Sequence, residues 1–177
     1  AGATLWCWGR NGDGQLGTGD FIDTRAPVIS QASTSFDSIA AGGYHACAWT
    51  TNGPAACWGN NSDGELGIGN NTTQLRPAML AGSWRQLAPG QTHTCGIRAD
   101  GMLLCWGSNV RGQLGDGTFL DRFLPTPVSE ETDWASVTTG AAHTCALKTD
   151  GSLWCWGADD DGQLVDDAGW TSTPTVL

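Results

Sequence analysis

Between His93 and Trp106 the chain alternates in polarity and then turns back on itself. His93-Thr-Cys-Gly-Ile-Arg98 has the two-residue period of a half-buried strand, and Asp100-Gly101 follows as a hairpin turn. Met102-Leu-Leu-Cys-Trp106 reads as the returning partner, while Trp84-Arg-Gln-Leu-Ala-Pro-Gly90 upstream predicts a short strand that stops at a glycine turn. Gly107-Ser-Asn-Val-Arg-Gly-Gln-Leu-Gly-Asp-Gly117 is a glycine-rich loop with Leu114 as its apolar plug, its glycines supplying positive-φ turns. Pro125-Thr-Pro-Val128 predicts a last extended stretch, with prolines suited to an edge. Four short extended segments without a helical period describe one blade of a propeller.

The same order recurs along the chain. Phe36–Gly42 and Trp134–Gly140 match the first segment, Tyr44–Cys47 and Ala142–Cys145 the second, and Pro27-Val28, Pro77-Ala78 and Pro174–Val176 the last. Cys-Trp-Gly opens at Cys7, Cys57, Cys105 and Cys155, at spacings of 50, 48 and 50 residues. A period of this size marks units that pack only against their neighbours. The expected fold is therefore all-β, a β-propeller segment of about 3.5 repeats. Its expected extent is 1–177, with a half repeat at 1–30 and repeats at 34–80, 82–129 and 132–177. Val165 stands where the other loops carry glycine, which predicts a different shape for the fourth loop.

Gly42-Gly-Tyr-His-Ala-Cys-Ala48, Gly90-Gln-Thr-His-Thr-Cys-Gly96 and Gly140-Ala-Ala-His-Thr-Cys-Ala-Leu147, each followed by a Trp-Gly…Gly-(Gln/Glu)-Leu loop, carry a resemblance. The units resemble regulator-of-chromosome-condensation repeats over nearly the whole chain. The resemblance implies a β-propeller, usually of seven blades, so these residues are expected to be a segment of a longer ring. A plant ultraviolet-B photoreceptor shares the repeat type, but its hallmark tryptophan follows the glycine of the histidine strand. Here Gly43, Gln91 and Ala141 stand there, and photoreception is not supported.

Three cysteine pairs share a separation of ten residues: Cys47 and Cys57, Cys95 and Cys105, Cys145 and Cys155. A three-residue loop at Ala99-Asp-Gly101 sets Cys95 opposite Cys105, and directly opposed residues of an antiparallel pair lie within disulfide reach. Cross-strand disulfides are expected, and with them an oxidising compartment, extracellular or at the cell surface. Stacked thiols are the alternative. Cys7 has no partner in the pattern and is expected to be unpaired or bonded between chains. Zinc binding by His93, Cys95 and Cys105 competes with sulfur pairing and with inter-blade hydrogen bonds of the histidines, and no metal or cofactor is expected.

Charge narrows the partners. The formal net charge is −10 and the pI is near 4.3, which opposes nucleic-acid binding. No apolar run has a membrane-spanning length, so no membrane insertion is expected. The loops at Asn11–Gly14, Asn61–Gly64 and Asp159–Gly162 lack the downstream glutamate of a calcium loop and read as turns. Asn60, Asn70 and Asn71 begin glycosylation sequons.

Tryptophans at 8, 58, 106 and 156 recur in register and are expected to pack within or between blades, whereas Trp6, Trp154 and Trp170 are candidates for surface contacts. No nucleophile, base and acid come together, and the three histidines occupy equivalent positions. The leading expectation is a non-enzymatic scaffold that binds a protein partner through loops on one face, using Phe21, Ile22, Phe119, Leu120, Arg122 and Phe123. A second is self-association, an assembly subunit joined through open blade edges and Cys7. A third, implied by the resemblance, is guanine-nucleotide exchange on a chromatin-bound GTPase, against which the acidic pI and the cysteine pairs stand.

Overall fold

The structure is a computed structural model that describes residues 4–32, 34–164 and 169–176, and all regular elements among them are strands. Strands β1 (Trp6–Gly9) and β2 (Thr24–Ile29) form a two-stranded antiparallel sheet, the half unit, here called blade 1. Blade 2 is built from β3 (Ser38–Ala41), β4 (His45–Trp49), β5 (Gly53–Gly59) and the start of β6 (Gln74–Pro89). Blade 3 takes the end of β6, then β7 (His93–Arg98), β8 (Leu103–Gly107) and β9 (Arg122–Pro127). Blade 4 is β10 (Trp134–Thr139), β11 (His143–Lys148), β12 (Leu153–Gly157) and β13 (Thr171–Val176).

One strand departs from the expected pattern. The closing segment around Pro77 and the Trp84 strand read as separate elements, yet they run together as the 16-residue β6. Its first half pairs with β5 and its second with β7. The strand is held where its two halves meet by the β4–β5 turn, whose Asn52 N–H donates to the Trp84 carbonyl at 2.8 Å. Gly82, at φ +104°, bends the chain there. Pro77 remains at an edge of its own blade, consistent with its missing donor.

Each Cys-Trp-Gly strand ends in a register shift at its glycine, and these four glycines take φ between 102° and 114°. A side chain at Gly59 is doubly opposed, since its Cβ would also lie 2.6 Å from the Tyr44 carbonyl oxygen. The loop that follows is closed by a buried asparagine. Asn11, Asn61 and Asn109 each accept the N–H of the leucine five residues on, at 2.9, 2.9 and 3.0 Å, and those leucines are buried. Asp159 takes this role for Leu164. The expectation about Val165 lies outside the described residues.

The core sits between blades. Trp58, Trp106 and Trp156 are fully buried, and each donates its indole N–H to a loop carbonyl of the preceding blade: Gln15, Glu65 and Gln113, at 2.9, 2.9 and 3.0 Å. Trp8 corrects the expectation for its register, being 60% exposed, because among the described residues no loop precedes it to receive the indole. The ends of β3, β6 and β10 converge on a shared cleft, where Gly43 N–H donates to the Gly90 carbonyl at 2.8 Å. A Cβ on Gly90 would lie 2.8 Å from the Gly140 carbonyl, so this approach admits only glycine.

Candidate functional site

Three kinds of site residue were read from the sequence, and the structure places them in different layers. The cysteine pairs lie in the middle of the blades. Cys47–Cys57, Cys95–Cys105 and Cys145–Cys155 face each other directly across β4–β5, β7–β8 and β11–β12, with Cα separations of 4.1 Å and sulfurs bonded at 2.12, 2.11 and 2.06 Å. The three-residue turns produce this register: Arg98 N–H bonds Met102 O, and counting outward meets the sulfurs.

The histidines stand at the joints between blades. His45 Nε2 lies 2.7 Å from Thr94 Oγ1 and His93 Nε2 lies 3.0 Å from Thr144 Oγ1. The threonine hydroxyls donate onward to the Glu65 and Gln113 carbonyls at 2.7 and 2.9 Å. With the sulfurs bonded to each other and the imidazoles engaged by threonine, the zinc ligand set is otherwise occupied. Burial lowers the pKa of His45 to about 4, and burial with the neighbouring histidines lowers that of His93 to about 3, so both are neutral at pH 7.

The proposed contact residues divide. Phe21, Ile22, Phe119 and Leu120 sit at the tips of the β1–β2 and β8–β9 loops and are 57%, 71%, 53% and 64% exposed. Short polar side chains brace both tips. Asp20 Oδ1 accepts Ile22 N–H at 3.1 Å and the Thr18 hydroxyl at 2.8 Å, and these bonds hold its carboxyl below the usual range. In the other loop the two residue types exchange places, with Asp116 Oδ1 accepting Thr118 N–H at 3.0 Å and Thr118 Oγ1 accepting Leu120 N–H at 3.3 Å. The blade 2 tip, by contrast, is polar: Asn71 and Thr72.

Arg122 and Phe123 lie on β9 instead of a loop. Arg122 pairs with Asp116 at 2.7 Å, and Phe123 packs over Gly64 of blade 2, so both also serve the fold. Trp170 is 46% exposed beneath the Arg111 guanidinium, 3.7 Å above its ring, and extends the loop surface into blade 4. Trp6 is half exposed and Trp154 packs edge-on against Trp134.

Two features escaped the sequence reading. Glu65 occupies the place of Gln15, Gln113 and Gln163 and is 1% exposed, with Oε2 accepting Asp63 N–H at 2.9 Å. Burial, with Asp63 and Asp13 nearby, raises its pKa to about 7. Ala46 occupies the place of Thr94 and Thr144, so the joint between blades 1 and 2 lacks the hydroxyl. Both were visible as substitutions in an aligned repeat. Cys7 carries a free, half-buried thiol, raised by burial.

Comparison with known proteins fits this architecture. No curated protein matches the chain. Among solved structures, Prp20p of Saccharomyces cerevisiae superposes with a TM-score of 0.86 at 22% identity, covering 99% of this chain and 46% of its own. Human WBSCR16 gives 0.81 at 20% identity, covering 97% and 46%. The ectodomain of the Physcomitrella patens receptor kinase CR4 gives 0.51 at 21% identity, covering 76% and 33%. The chain thus spans less than half of each of these proteins, and the likeness is one of fold. Two repeat patterns described as regulator of chromosome condensation (RCC1) repeat match residues 3–49 and 100–147, and residues 36–65, 84–113 and 134–163. On these matches, the chain belongs to the regulator of chromosome condensation (RCC1) repeat family.

Proposed function

We propose that this chain, as a single propeller segment over 1–177, is a non-enzymatic scaffold that binds a protein partner through its loop face. The observation that carries the reading is the pair of braced apolar tips, Phe21-Ile22 and Phe119-Leu120, more than half exposed on loops held by their own Asp and Thr side chains. Exposed apolar groups on preorganised loops lose little entropy on binding and mark interaction sites. Prp20p, which has the same fold, binds Gsp1p and histones, so a propeller of this kind is suited to protein partners. Exchange-factor activity on a GTPase is not favoured by a pI near 4.3.

The three disulfides support an oxidising, extracellular or cell-surface setting. A second reading is assembly with other copies through open blade edges and Cys7, whose thiol is free among the described residues.

The test replaces Phe119 and Leu120 together by serine. Partner capture from the extracellular fraction falls while the melting temperature holds; capture equal to that of the parent refutes this surface. Light-scattering mass with and without reductant tests the second reading, which a reductant-insensitive monomer excludes.

A further inference from the structure

Three hairpins turn over equivalent residues: Thr51-Asn52-Gly53, Ala99-Asp100-Gly101 and Thr149-Asp150-Gly151. In the second and third the aspartate is held. Asp100 Oδ1 accepts Met102 N–H at 3.1 Å and Asp150 Oδ1 accepts Ser152 N–H at 2.9 Å. The glycine that follows takes the positive-φ step, at +90° and +88°.

The first turn departs from this in two ways, and Pro54 accounts for both. Proline has no N–H, so the donor that fixes Asp100 and Asp150 is missing for Asn52. Proline also favours an extended residue before it, and the positive-φ step moves from Gly53 back to Asn52, at +57°. Asn52 is exposed, and Gly53 has no side chain to shield its own amide nitrogen. The chain has one other Asn-Gly pair, Asn11-Gly12. There the asparagine is buried and fastened. Its Nδ2 donates to the Asp20 carbonyl at 2.9 Å and to Thr18 Oγ1 at 3.2 Å, while its Oδ1 accepts Leu16 N–H at 2.9 Å.

We infer that Asn52, left unheld by Pro54, is a self-modifying site that the Gly53 nitrogen converts into aspartate and isoaspartate, while Asn11 is preserved. The Gly53 nitrogen gives its proton to hydroxide and attacks Asn52 Cγ. The bond from Cγ to the side-chain nitrogen breaks, ammonia leaves with a proton from water, and a succinimide remains. Water then opens the ring at either carbonyl. The balance is one water gained and one ammonia lost, with no oxidation or reduction. A brake is built in, since Gly53 N–H donates to the Thr50 carbonyl at 2.7 Å and must come free first. One exposed hydrogen bond slows closure by about two- to tenfold relative to an open chain. The modification falls on the fastening of β6, because Asn52 N–H holds the Trp84 carbonyl. Isoaspartate adds one main-chain carbon between that N–H and the Gly53 N–H.

The folded chain is held at pH 8 beside a capped peptide of residues 49–56, and both are mapped by mass and by isoaspartyl methyltransferase labelling. Asn52 of the folded chain converts at a rate within about tenfold of the peptide, and Asn11 stays intact. Pro54→Ser supplies the missing N–H and slows conversion at Asn52 by a further factor of about two to ten. A folded chain slower than the peptide by more than about tenfold overturns the inference, because the turn then protects its asparagine. Conversion of Asn11 at the rate of Asn52 does so too, since it places the reaction in the unfolded chain. An unchanged rate in Pro54→Ser removes the cause assigned to the site.

Discussion

His45 Nε2 and Thr94 Oγ1 lie 2.7 Å apart, although 49 residues separate them in the chain. Since the Thr94 hydroxyl proton is directed to the Glu65 carbonyl, the imidazole must be the donor, which places its proton on Nε2 and leaves Nδ1 bare. Glu65 O also receives the Trp106 indole, so one carbonyl holds two side chains of the following blade. Blades 3 and 4 meet in the same way through His93, Thr144, Trp156 and Gln113. Replacement of Thr94 by valine keeps the shape and removes the link. It is expected to cost about 1–3 kcal/mol, the penalty of a stranded buried donor, measured by denaturant unfolding. No change in the midpoint would show that water takes over the hydroxyl's part.

These joints set the acid limit of stability. A histidine whose folded pKa lies near 4 or 3, below the usual 6.5, binds a proton more readily when unfolded. Its contribution is therefore complete above pH 6.5 and is lost as pH falls toward 4. Each of the two is worth on the order of 3 kcal/mol across that window. The melting temperature should fall between pH 6.5 and 4 and do so less steeply in His45→Gln; a parallel curve for that variant would refute the assignment.

Glu65 acts in the opposite sense. Its folded pKa near 7 exceeds the ordinary 4.5, so the protonated side chain is the stable one and the advantage disappears as pH rises from 4.5 to 7. Glu65→Gln restores the residue of the sister loops, where the same side-chain oxygen accepts the same backbone N–H in Gln15 and Gln113. The variant should gain about 3 kcal/mol at pH 8 and almost nothing at pH 4. Equal gains at both values would point to packing instead of ionisation.

Thiol counting tests the covalent frame. The denatured, unreduced protein should titrate one thiol, Cys7, because the other six cysteines are bridged. Replacement of Cys95 and Cys105 together by alanine should lower stability by about 3 kcal/mol, the chain-entropy value for so short a loop. Seven reactive thiols in freshly isolated protein would remove the support for an oxidising compartment.

Much of this was legible from residue spacing. The hairpin between His93 and Trp106, its register and the opposed cysteines follow from local rules: side chains alternate along a strand, and the turn length sets which residues meet. The buried leucine of each loop was equally plain. The contacts of Arg122 with Asp116 and of Phe123 with Gly64 were not, because they join segments that the repeat pattern treats separately. The continuity of β6 was hidden for a related reason: the hydrogen bond that holds the strand where its halves meet comes from Asn52, in the preceding hairpin.

The order of residues alone determined that this protein is an array of antiparallel hairpin units, since a periodic sequence imposes the same local geometry at every turn of the repeat. Only the tertiary structure decided which groups meet across the joints: His45 with Thr94, Trp58 with Gln15, and Trp8 with solvent. Those contacts depend on how one blade lies against the next, and hydrogen bonds between residues some 50 positions apart have no signature in either segment by itself.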